Sequence, residues 1–376
     1  MRSAPDFSII IPTCNRPKQL ANLLLSLAGL DYPVDRFEII VVDDGSTEPA
    51  QTVVSAFSSD LDMTLLKQEN SGPAAARNHG ASRAGGRFLA FTDDDCVVDD
   101  KWLQALEKAF LMAPLTICGG KTINLLSRNI YSTACQLLLD FLSQHYSPQE
   151  HPAGFYPTLN FSAPRVRFLE AGGFDPRLRF GEDRDFCFRW ASLGYPFRFV
   201  PEAVVYHSHP LRISSFSLLH FYYGGGSYRF RRECVDRGRT PPKLSPPSFY
   251  IQLILSGIKK ERNRYGALLS LLLLVSQIAN TAGHFCEALK RGRGRNLRPR
   301  GCMTKTEPRN EAFRRRCEDL SESKAAVAFG DNPCGMGLHR PSLCSIGCHY
   351  SQGLTEKQAL LPTGFLNLEN HSGGKT

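Results

Sequence analysis

The sequence predicts an α/β fold whose N-terminal part holds a parallel, Rossmann-like sheet, and two observations support this prediction. Short apolar runs with almost no charged residues alternate with segments of helical periodicity along about the first 110 residues. Polar or acidic residues follow each of these runs. Because parallel strands of one sheet end at the same edge, these polar residues should lie together there, where open α/β sheets bind ligands.

The elements follow from the local patterns. Strands are expected over residues 7–12, 37–42, 63–66 and 88–92. Helices are expected over 20–30, where leucines recur at helical spacing, over 49–58, from Asn70 and from Trp102. The pattern after residue 115 is less regular: it predicts helices near 135–142 and from about Asp183, and short strands over 197–200 and 203–206.

Three consecutive carboxylates, Asp93, Asp94 and Asp95, end the fourth predicted strand. Their mutual repulsion costs stability unless a cation or a polar partner offsets it. A solvated acidic turn is the alternative interpretation. Because the loops after the other strands also carry polar residues, we favour a site of nucleotide size at this edge of the sheet.

A second acidic pair, Glu182 and Asp183, opens the helix predicted in the middle of the chain. The helix dipole favours negative charge at this end, so simple capping is the alternative to a functional role. Phe186 and Trp190 lie four residues apart and should pack inward from one face of this helix.

The net charge of +9 comes from one segment. Residues 290–316 contain 11 Lys or Arg and 2 Asp or Glu, so the remainder balances at 34 against 34. Such a segment can meet nucleic acid, anionic lipid headgroups or only water. It lacks the interleaved aromatic residues of a nucleic-acid site, and we expect no nucleic-acid partner.

Cysteine usage and the N-terminus indicate a reducing compartment. Seven of the 12 cysteines lie in the first 290 residues without metal-like spacing, as expected of small buried hydrophobes. The N-terminus runs directly into a predicted strand and lacks the apolar core of a signal peptide. We therefore expect a cytoplasmic protein.

An apolar region near the C-terminus indicates membrane association. Residues 265–286 contain no Asp, Glu, Lys or Arg, and their length could span a bilayer. The polar second half of this stretch equally indicates a helix that lies in the interface or packs on the protein. With the basic segment directly after it, we expect attachment to the inner face of an anionic membrane.

The chain therefore divides into three predicted parts: an α/β domain over 1–240, a Pro-rich linker with apolar membrane-associating helices over 241–289, and a basic, Cys-containing tail over 290–376. The tail has few long apolar periods, so we expect it to be largely disordered. A zinc site at Cys334, Cys344, Cys348 and His349 is the alternative, although paired C-x-x-C spacing is absent.

Five motifs, in order along residues 7–209, resemble those of the family 2 glycosyltransferases: FSIIIPTCNR, EIIVVDDGST, NSGPAAARNHG, FTDDD and GGFDPRLRFGEDRDF. The resemblance implies the nucleotide-sugar-binding GT-A fold, here followed by a mostly helical, membrane-associated C-terminal extension. It also implies inverting transfer of a sugar from a nucleotide-diphosphate donor to a hydroxyl of a glycan or lipid-linked acceptor. The implied cofactor is a divalent metal, Mn or Mg.

The resemblance implies a metal site and a general base. Asp95 matches the metal ligand of the DxD motif, with Asp93 in support. His207 matches a histidine that completes the metal shell, with His209 as a rival and a surface histidine as the alternative. Asp183 matches the general base, and Glu182 beside it would orient or bind the acceptor.

The nucleotide side of the site is also implied by the resemblance. Asp44 would hydrogen-bond the base and Asp94 would face the ribose. The base and ribose pocket would be lined by Thr13, Asn15 and Arg16. Arg77 would approach this pocket or the diphosphate as a cation.

Two departures bear on these expectations. Cys14 stands where the family often has an aromatic residue, which should alter only the packing near the base. The Gln/Arg-x-x-Arg-Trp signature of processive polysaccharide synthases is absent from the sequence, so a single addition is favoured over polymerisation.

Three other functions compete with this interpretation. V-V-D-D-G-S-T resembles the nucleophile loop of aspartyl-phosphate phosphatases, but its aspartates are adjacent rather than one residue apart. A sugar nucleotidyltransferase would need a glycine-rich N-terminal loop with Arg and Lys, which the sequence lacks. A non-catalytic carbohydrate- or membrane-binding protein would have no need of Asp44, Asp93, Asp95 and Asp183 together.

Overall fold

A computed structural model describes residues 5–146 and 154–293 of the chain. Eight strands and ten α-helices are present in these described ranges. The strands are β1 Phe7–Thr13, β2 Phe37–Asp44, β3 Met63–Gln68, β4 Phe88–Phe91, β5 Cys96–Val98, β6 Ile117–Asn124, β7 Phe161–Pro164 and β8 Phe197–His207. The helices are α1 Pro17–Ala28, α2 Gln51–Phe57, α3 Pro73–Arg83, α4 Trp102–Met112, α5 Ile130–His145, α6 Arg165–Glu170, α7 Glu182–Ser192, α8 Ile213–Asp236, α9 Pro247–Lys260 and α10 Arg264–Arg293.

The strands form one sheet in the order β3-β2-β1-β4-β7-β6-β8-β5. The four N-terminal strands are parallel, as predicted, so the loops after them meet at one edge. The sheet as a whole is mixed, because β7 runs antiparallel to both β4 and β6, and β5 runs antiparallel to β8. In this second half the sequence predicted only the segments that belong to β8, and β5, β6 and β7 were missing from the prediction.

The strand β8 corrects the prediction of two short strands over 197–200 and 203–206. It is one strand that pairs with β6 along its length, with a register shift opposite Gly120 and Lys121. Pro201 lies at this shift, where a missing backbone N–H costs no ladder hydrogen bond. In the sequence, the proline therefore indicated the end of a strand where the structure has a bulge within one strand.

Helices cover both faces of the sheet because alternate strand residues point to opposite sides. Phe7, Ile9 and Ile11 pack with the buried residues of α1, α2 and α4. Ile10 belongs to a second core with α3, α6 and α7, which includes the fully buried Phe186 and Trp190. The inward packing predicted for this last pair is confirmed, and it packs α7 against the second core.

Two glycines allow α8 and α10 to cross at close range. A Cβ on Gly224 would lie 1.8 Å from the carbonyl oxygen of Asn280, and a Cβ on Gly283 would lie 1.8 Å from that of Phe221. Any side chain at either position would separate the two helices. This contact, together with a third core shared by α5, α8, α9 and α10, joins the C-terminal helices to the α/β domain.

The helix α10 packs on the protein with one face and exposes apolar residues on another. Leu269, Leu272 and Leu273 are buried, whereas Leu271 and Ile278 are more than half exposed. Within the described residues, the segment Arg264–Lys290 is long and apolar enough to cross a membrane. The predictions for most of the tail, including its disorder and its zinc alternative, concern residues outside the described ranges.

Candidate active site

The loop after β4 and the end of β8 bring Asp95 and His207 together. The Oδ1 of Asp95 lies 3.3 Å from the Nε2 of His207. The backbone fixes this pair, because Cys96 pairs with His207 between β5 and β8 and the amide of Ser208 donates to the carbonyl of Asp95 at 2.8 Å. Burial acts to raise the pKa of Asp95, but the hydrogen bond and the charge of His207 outweigh it and hold that pKa low.

Arg16 and Thr13 hold the same acidic cluster from the loop after β1. One terminal nitrogen of Arg16 donates to Asp94 and to Asp95, each at 3.0 Å, and the hydroxyl of Thr13 donates to Asp94 at 2.8 Å. Asp94 is buried, and burial raises its pKa to about 6 against the opposing charge of Arg16. The repulsion expected among the three aspartates is thus offset by a cation.

The donor set fits a divalent metal. Two ligands in adjacent positions on one octahedral ion are about 3 Å apart, close to the spacing of Asp95 and His207. Carboxylate ligands suit magnesium and manganese, and a neutral imidazole nitrogen is a common metal ligand. The Sγ of Cys96 lies within 4.8 Å of both ligand atoms, but burial raises its pKa well above the ordinary value and leaves a protonated thiol. The ring of His209, the rival histidine, lies 5.3 Å from that of His207.

Arg77 on α3 links two carboxylates from distant parts of the chain. Its Nη2 donates to Asp93 at 2.5 Å and its Nη1 donates to Glu182 at 2.9 Å. Arg77 and Glu182 are both buried. The two acidic side chains are therefore structural partners of this guanidinium. It joins the loop after β4, which carries Asp93, to the N-terminus of α7.

Asp183 lies at the N-terminus of α7, directly after the ion-paired Glu182. The chain enters this helix through Gly181, whose φ of 84° is in the left-handed region that favours glycine. The Oδ1 of Asp183 accepts the amide of Arg184 at 2.7 Å, and none of the described residues donates to its Oδ2. Burial raises the pKa of Asp183. This oxygen can therefore accept a proton from a ligand hydroxyl.

Asp44 is engaged within the protein rather than open to a ligand. Both of its carboxylate oxygens accept hydrogen bonds, from the side chains of Gln68 and Asn70 and from the amides of Ser71 and Gly72. These four donors fill the acceptor sites of a carboxylate. A contact between Asp44 and a base would require one of them to leave.

Asn15 organises the loop after β2 instead of presenting its side chain to a ligand. Its φ of 55° is left-handed, and its Oδ1 accepts from the amide and the hydroxyl of Thr47 at 2.8 and 2.9 Å. Asp43, the nucleophile that a phosphatase would need, is buried and caps the amides of Ser46 and Ala50. Its burial and its two hydrogen bonds argue against the phosphatase interpretation.

A cavity of about 490 Å³ opens beside these groups. The predicted site residues in its wall are Arg77, Asp93, Glu182, Asp183 and His207. From there it extends between α5, α8 and α9. Its wall also contains Arg184 and Arg231, which the sequence analysis did not single out. The position of Arg184 next to Asp183 was the available signal, but only the packing of α7 on α8 places Arg231 nearby.

The chain is similar to known glycosyltransferases. Residues 8–135 match the family model for glycosyl transferase family 2. A pre-mycofactocin glycosyltransferase of Mycobacterium tuberculosis is 28% identical over 280 residues, which cover 73% of this chain and 57% of that protein. Glycosyltransferase AglE of Haloferax volcanii is 25% identical over 211 residues, which cover 54% of this chain and 67% of that protein. The chain thus spans only part of each relative.

One solved structure confirms the fold. The mannosyltransferase PcManGT from Pyrobaculum calidifontis, in complex with GDP-Man and Mn²⁺, aligns with a TM-score of 0.52 and 19% identity. The alignment covers 86% of this chain and 82% of that protein. The fold is therefore the expected GT-A fold, an α/β domain built on a mixed sheet.

Proposed function

We propose that this chain, which belongs to glycosyl transferase family 2 through residues 8–135, transfers a sugar from a nucleotide-diphosphate donor to an acceptor hydroxyl. The observation that carries the proposal is the position of Asp183 and His207 in the wall of one cavity. Asp183 offers a free carboxylate oxygen, and His207 approaches Asp95 at the ligand edge of the sheet. The proposed base and the histidine of the proposed metal pair thus face the same space.

The proposed reaction is a single displacement. The acceptor oxygen forms a bond to the anomeric carbon while the bond from that carbon to the diphosphate oxygen breaks. The acceptor proton passes to the Oδ2 of Asp183, and the nucleoside diphosphate leaves with the electron pair. Attack opposite the leaving group inverts the anomeric centre, and one sugar is added in each encounter.

Asp95 and His207 would hold a divalent metal, Mn or Mg, with Asp93 nearby in support. When bound, the metal supplies positive charge against the diphosphate as it departs. Arg77 keeps Asp93 and Glu182 in place, so Glu182 acts by holding the loop and the helix together. We expect Arg16 to turn from its two aspartates toward the diphosphate when the donor binds.

The donor base and ribose are proposed to lie at the edge formed by the loops after β1, β2 and β3. Thr13 and Asp94 would border the ribose, and Asn15 would shape the pocket by holding Thr47. Asp44 would contact the base only if the amide of Asn70 or Gln68 moves away. The structurally similar mannosyltransferase PcManGT was solved with GDP-Man, which supports a nucleotide-diphosphate donor for this chain.

The protein is proposed to act at the cytoplasmic face of a membrane. The exposed apolar residues of α10 support this location, together with the basic segment that follows it in the sequence. We propose that the catalytic domain covers residues 1–240, the membrane-associating helices residues 241–289 and the tail residues 290–376.

The test is a thermal-shift screen of the full chain with uridine, guanosine and thymidine diphosphates, each with and without Mn²⁺. One of them should raise the unfolding temperature in a Mn²⁺-dependent manner. Failure of every nucleotide to stabilise the wild-type protein would contradict the proposed function.

A further inference from the structure

The cavity that begins at Asp183 leads away from the sheet and into the group of C-terminal helices. Its far wall is apolar and is formed by Leu138, Leu142, Leu219, Phe249 and Leu253. A carbohydrate acceptor presents hydroxyl groups, and such a wall offers few polar partners for them. The shape of the cavity thus combines a polar end at the site with an apolar end between α5 and α9.

A guanidinium without a carboxylate partner lies where the two ends meet. The Nε of Arg184 is buried and has no hydrogen-bond partner in the described part of the chain. Its guanidinium lies 5.5–5.8 Å from the ring centres of Tyr146, Phe155 and Phe230. Burial lowers the pKa of Arg184, so its positive charge is only partly compensated by its surroundings.

Arg231 on α8 is a second arginine close to Arg184 in a wall that also contains Arg179 and Lys243. Its charge acts on Arg184 and lowers the pKa of that residue further. The guanidinium of Arg231 donates to the carbonyl of Pro242, and neither arginine forms an ion pair with a carboxylate of the described residues. Two like charges at one cavity are costly unless an anion joins them.

The outer surface near the apolar end is suited to a lipid phase. On α9, Ile251 and Ile258 are 58% and 44% exposed, and on α10 Leu268 and Leu271 are 44% and 54% exposed. An apolar surface on two adjacent helices is typical of protein that meets a membrane interface. A lipid in the membrane could thus reach the cavity between these helices.

We propose that the acceptor is a lipid with a phosphate-type headgroup. The phosphate would lie between Arg184 and Arg231, the lipid chain along the apolar wall, and the hydroxyl to be glycosylated at Asp183. This inference rests on the proposed function, because it identifies the acceptor of that transfer. A soluble anion would satisfy the two arginines but would leave the apolar wall without a partner.

The test is calorimetric titration of the full chain in detergent micelles with farnesyl phosphate, farnesol and inorganic phosphate. Farnesyl phosphate should bind at least about tenfold more tightly than either other probe, because only it satisfies both ends of the cavity. R184Q and R231Q should each weaken its binding roughly tenfold. R184K should bind it more tightly than R184Q but less tightly than the wild type, because the charge remains while the planar guanidinium is lost. R232Q is the matched control, since Arg232 is the next residue on α8 and pairs with Asp236 at the surface.

Equal binding of farnesol would overturn the role of the phosphate, and equal binding of inorganic phosphate would overturn the role of the lipid chain. Unchanged affinity in both R184Q and R231Q would also overturn the inference. Nucleotide binding, measured in the same samples, separates the two proposals. If nucleotide binds and farnesyl phosphate does not, the lipid acceptor is wrong and the transferase function stands; if no nucleotide binds, the transferase function itself is contradicted.

Discussion

The Oδ1 of Asp95 lies 3.3 Å from the Nε2 of His207, although the two residues are far apart in the chain. The antiparallel pairing of β5 with β8 holds them there. Because backbone hydrogen bonds set this distance, either side chain can be replaced with little effect on the sheet. The metal pair can therefore be tested separately from the fold.

Replacing His207 with Ala should weaken Mn²⁺ binding to the nucleotide-loaded protein by at least roughly 10- to 100-fold, the loss seen even for outer-shell partners of metals. Electron paramagnetic resonance of free Mn²⁺ measures the change. His209→Ala is the control, because its ring centre lies 5.3 Å from that of His207 and we propose no metal contact for it. Equal losses of Mn²⁺ affinity in both variants would show that His207 is not the specific histidine ligand.

Asp183→Asn should lower transfer or donor hydrolysis by roughly 10²- to 10⁴-fold, the usual contribution of a general base. Nucleotide binding should be unchanged, because Asn keeps the size of the side chain. Release of nucleoside diphosphate measures turnover. Asp236→Asn, at the exposed end of α8, is the control and should keep wild-type rates. A folded Asp183→Asn variant with full turnover would refute the role of this carboxylate.

The pH dependence of turnover should show the raised pKa of Asp183. Burial raises that pKa, and the residue accepts a proton only when it is ionised. Turnover should therefore fall as the pH falls through this pKa, at a pH above the ordinary aspartate value of about 4. A rate profile from pH 4 to 8 under saturating donor tests this. A rate that stays constant down to pH 4 would show that the pKa of the Asp183 carboxylate is not raised.

The sequence allowed the prediction of the parallel half of the sheet and of the residues at its edge, because each strand there is an apolar run followed by polar residues. It did not allow prediction of β6, whose paired glycines interrupt the pattern, or of the bulge at Pro201. The sequence also did not reveal which residues form ion pairs or hydrogen bonds with the site residues. Arg77 could be named as a cation, but only the fold brings it to Glu182.

Arg77→Met should reduce the free energy of unfolding by about 3–5 kcal/mol, because it leaves buried Glu182 without its counter-charge. Arg77→Lys should be intermediate, since one ammonium group does not reproduce the two-pronged contact with Asp93 and Glu182. Urea unfolding measures both changes. Arg83→Met, at the exposed end of the same helix, is the control. Equal stability of Arg77→Met and Arg83→Met would contradict the structural role of the bridge.

Gly224→Ala should lower the unfolding temperature of the detergent-solubilised chain, because the new Cβ would lie 1.8 Å from the carbonyl oxygen of Asn280. Gly225→Ala is a closely matched control, since its Cβ would come no closer than 3.8 Å to any neighbour. That control should be neutral or stabilising by up to about 1 kcal/mol, the difference in helix propensity. Similar effects of the two changes would indicate that α8 and α10 do not cross as described.

The central claim is that a metal-dependent nucleotide site and a separate base face one cavity. Calorimetric titration of nucleoside diphosphate in the presence of Mn²⁺, on the wild type, D95N and D183N, tests it most directly. We predict Mn²⁺-dependent binding to the wild type and D183N and strongly reduced binding to folded D95N. Undiminished binding to D95N, or loss of binding in folded D183N, would contradict the claim.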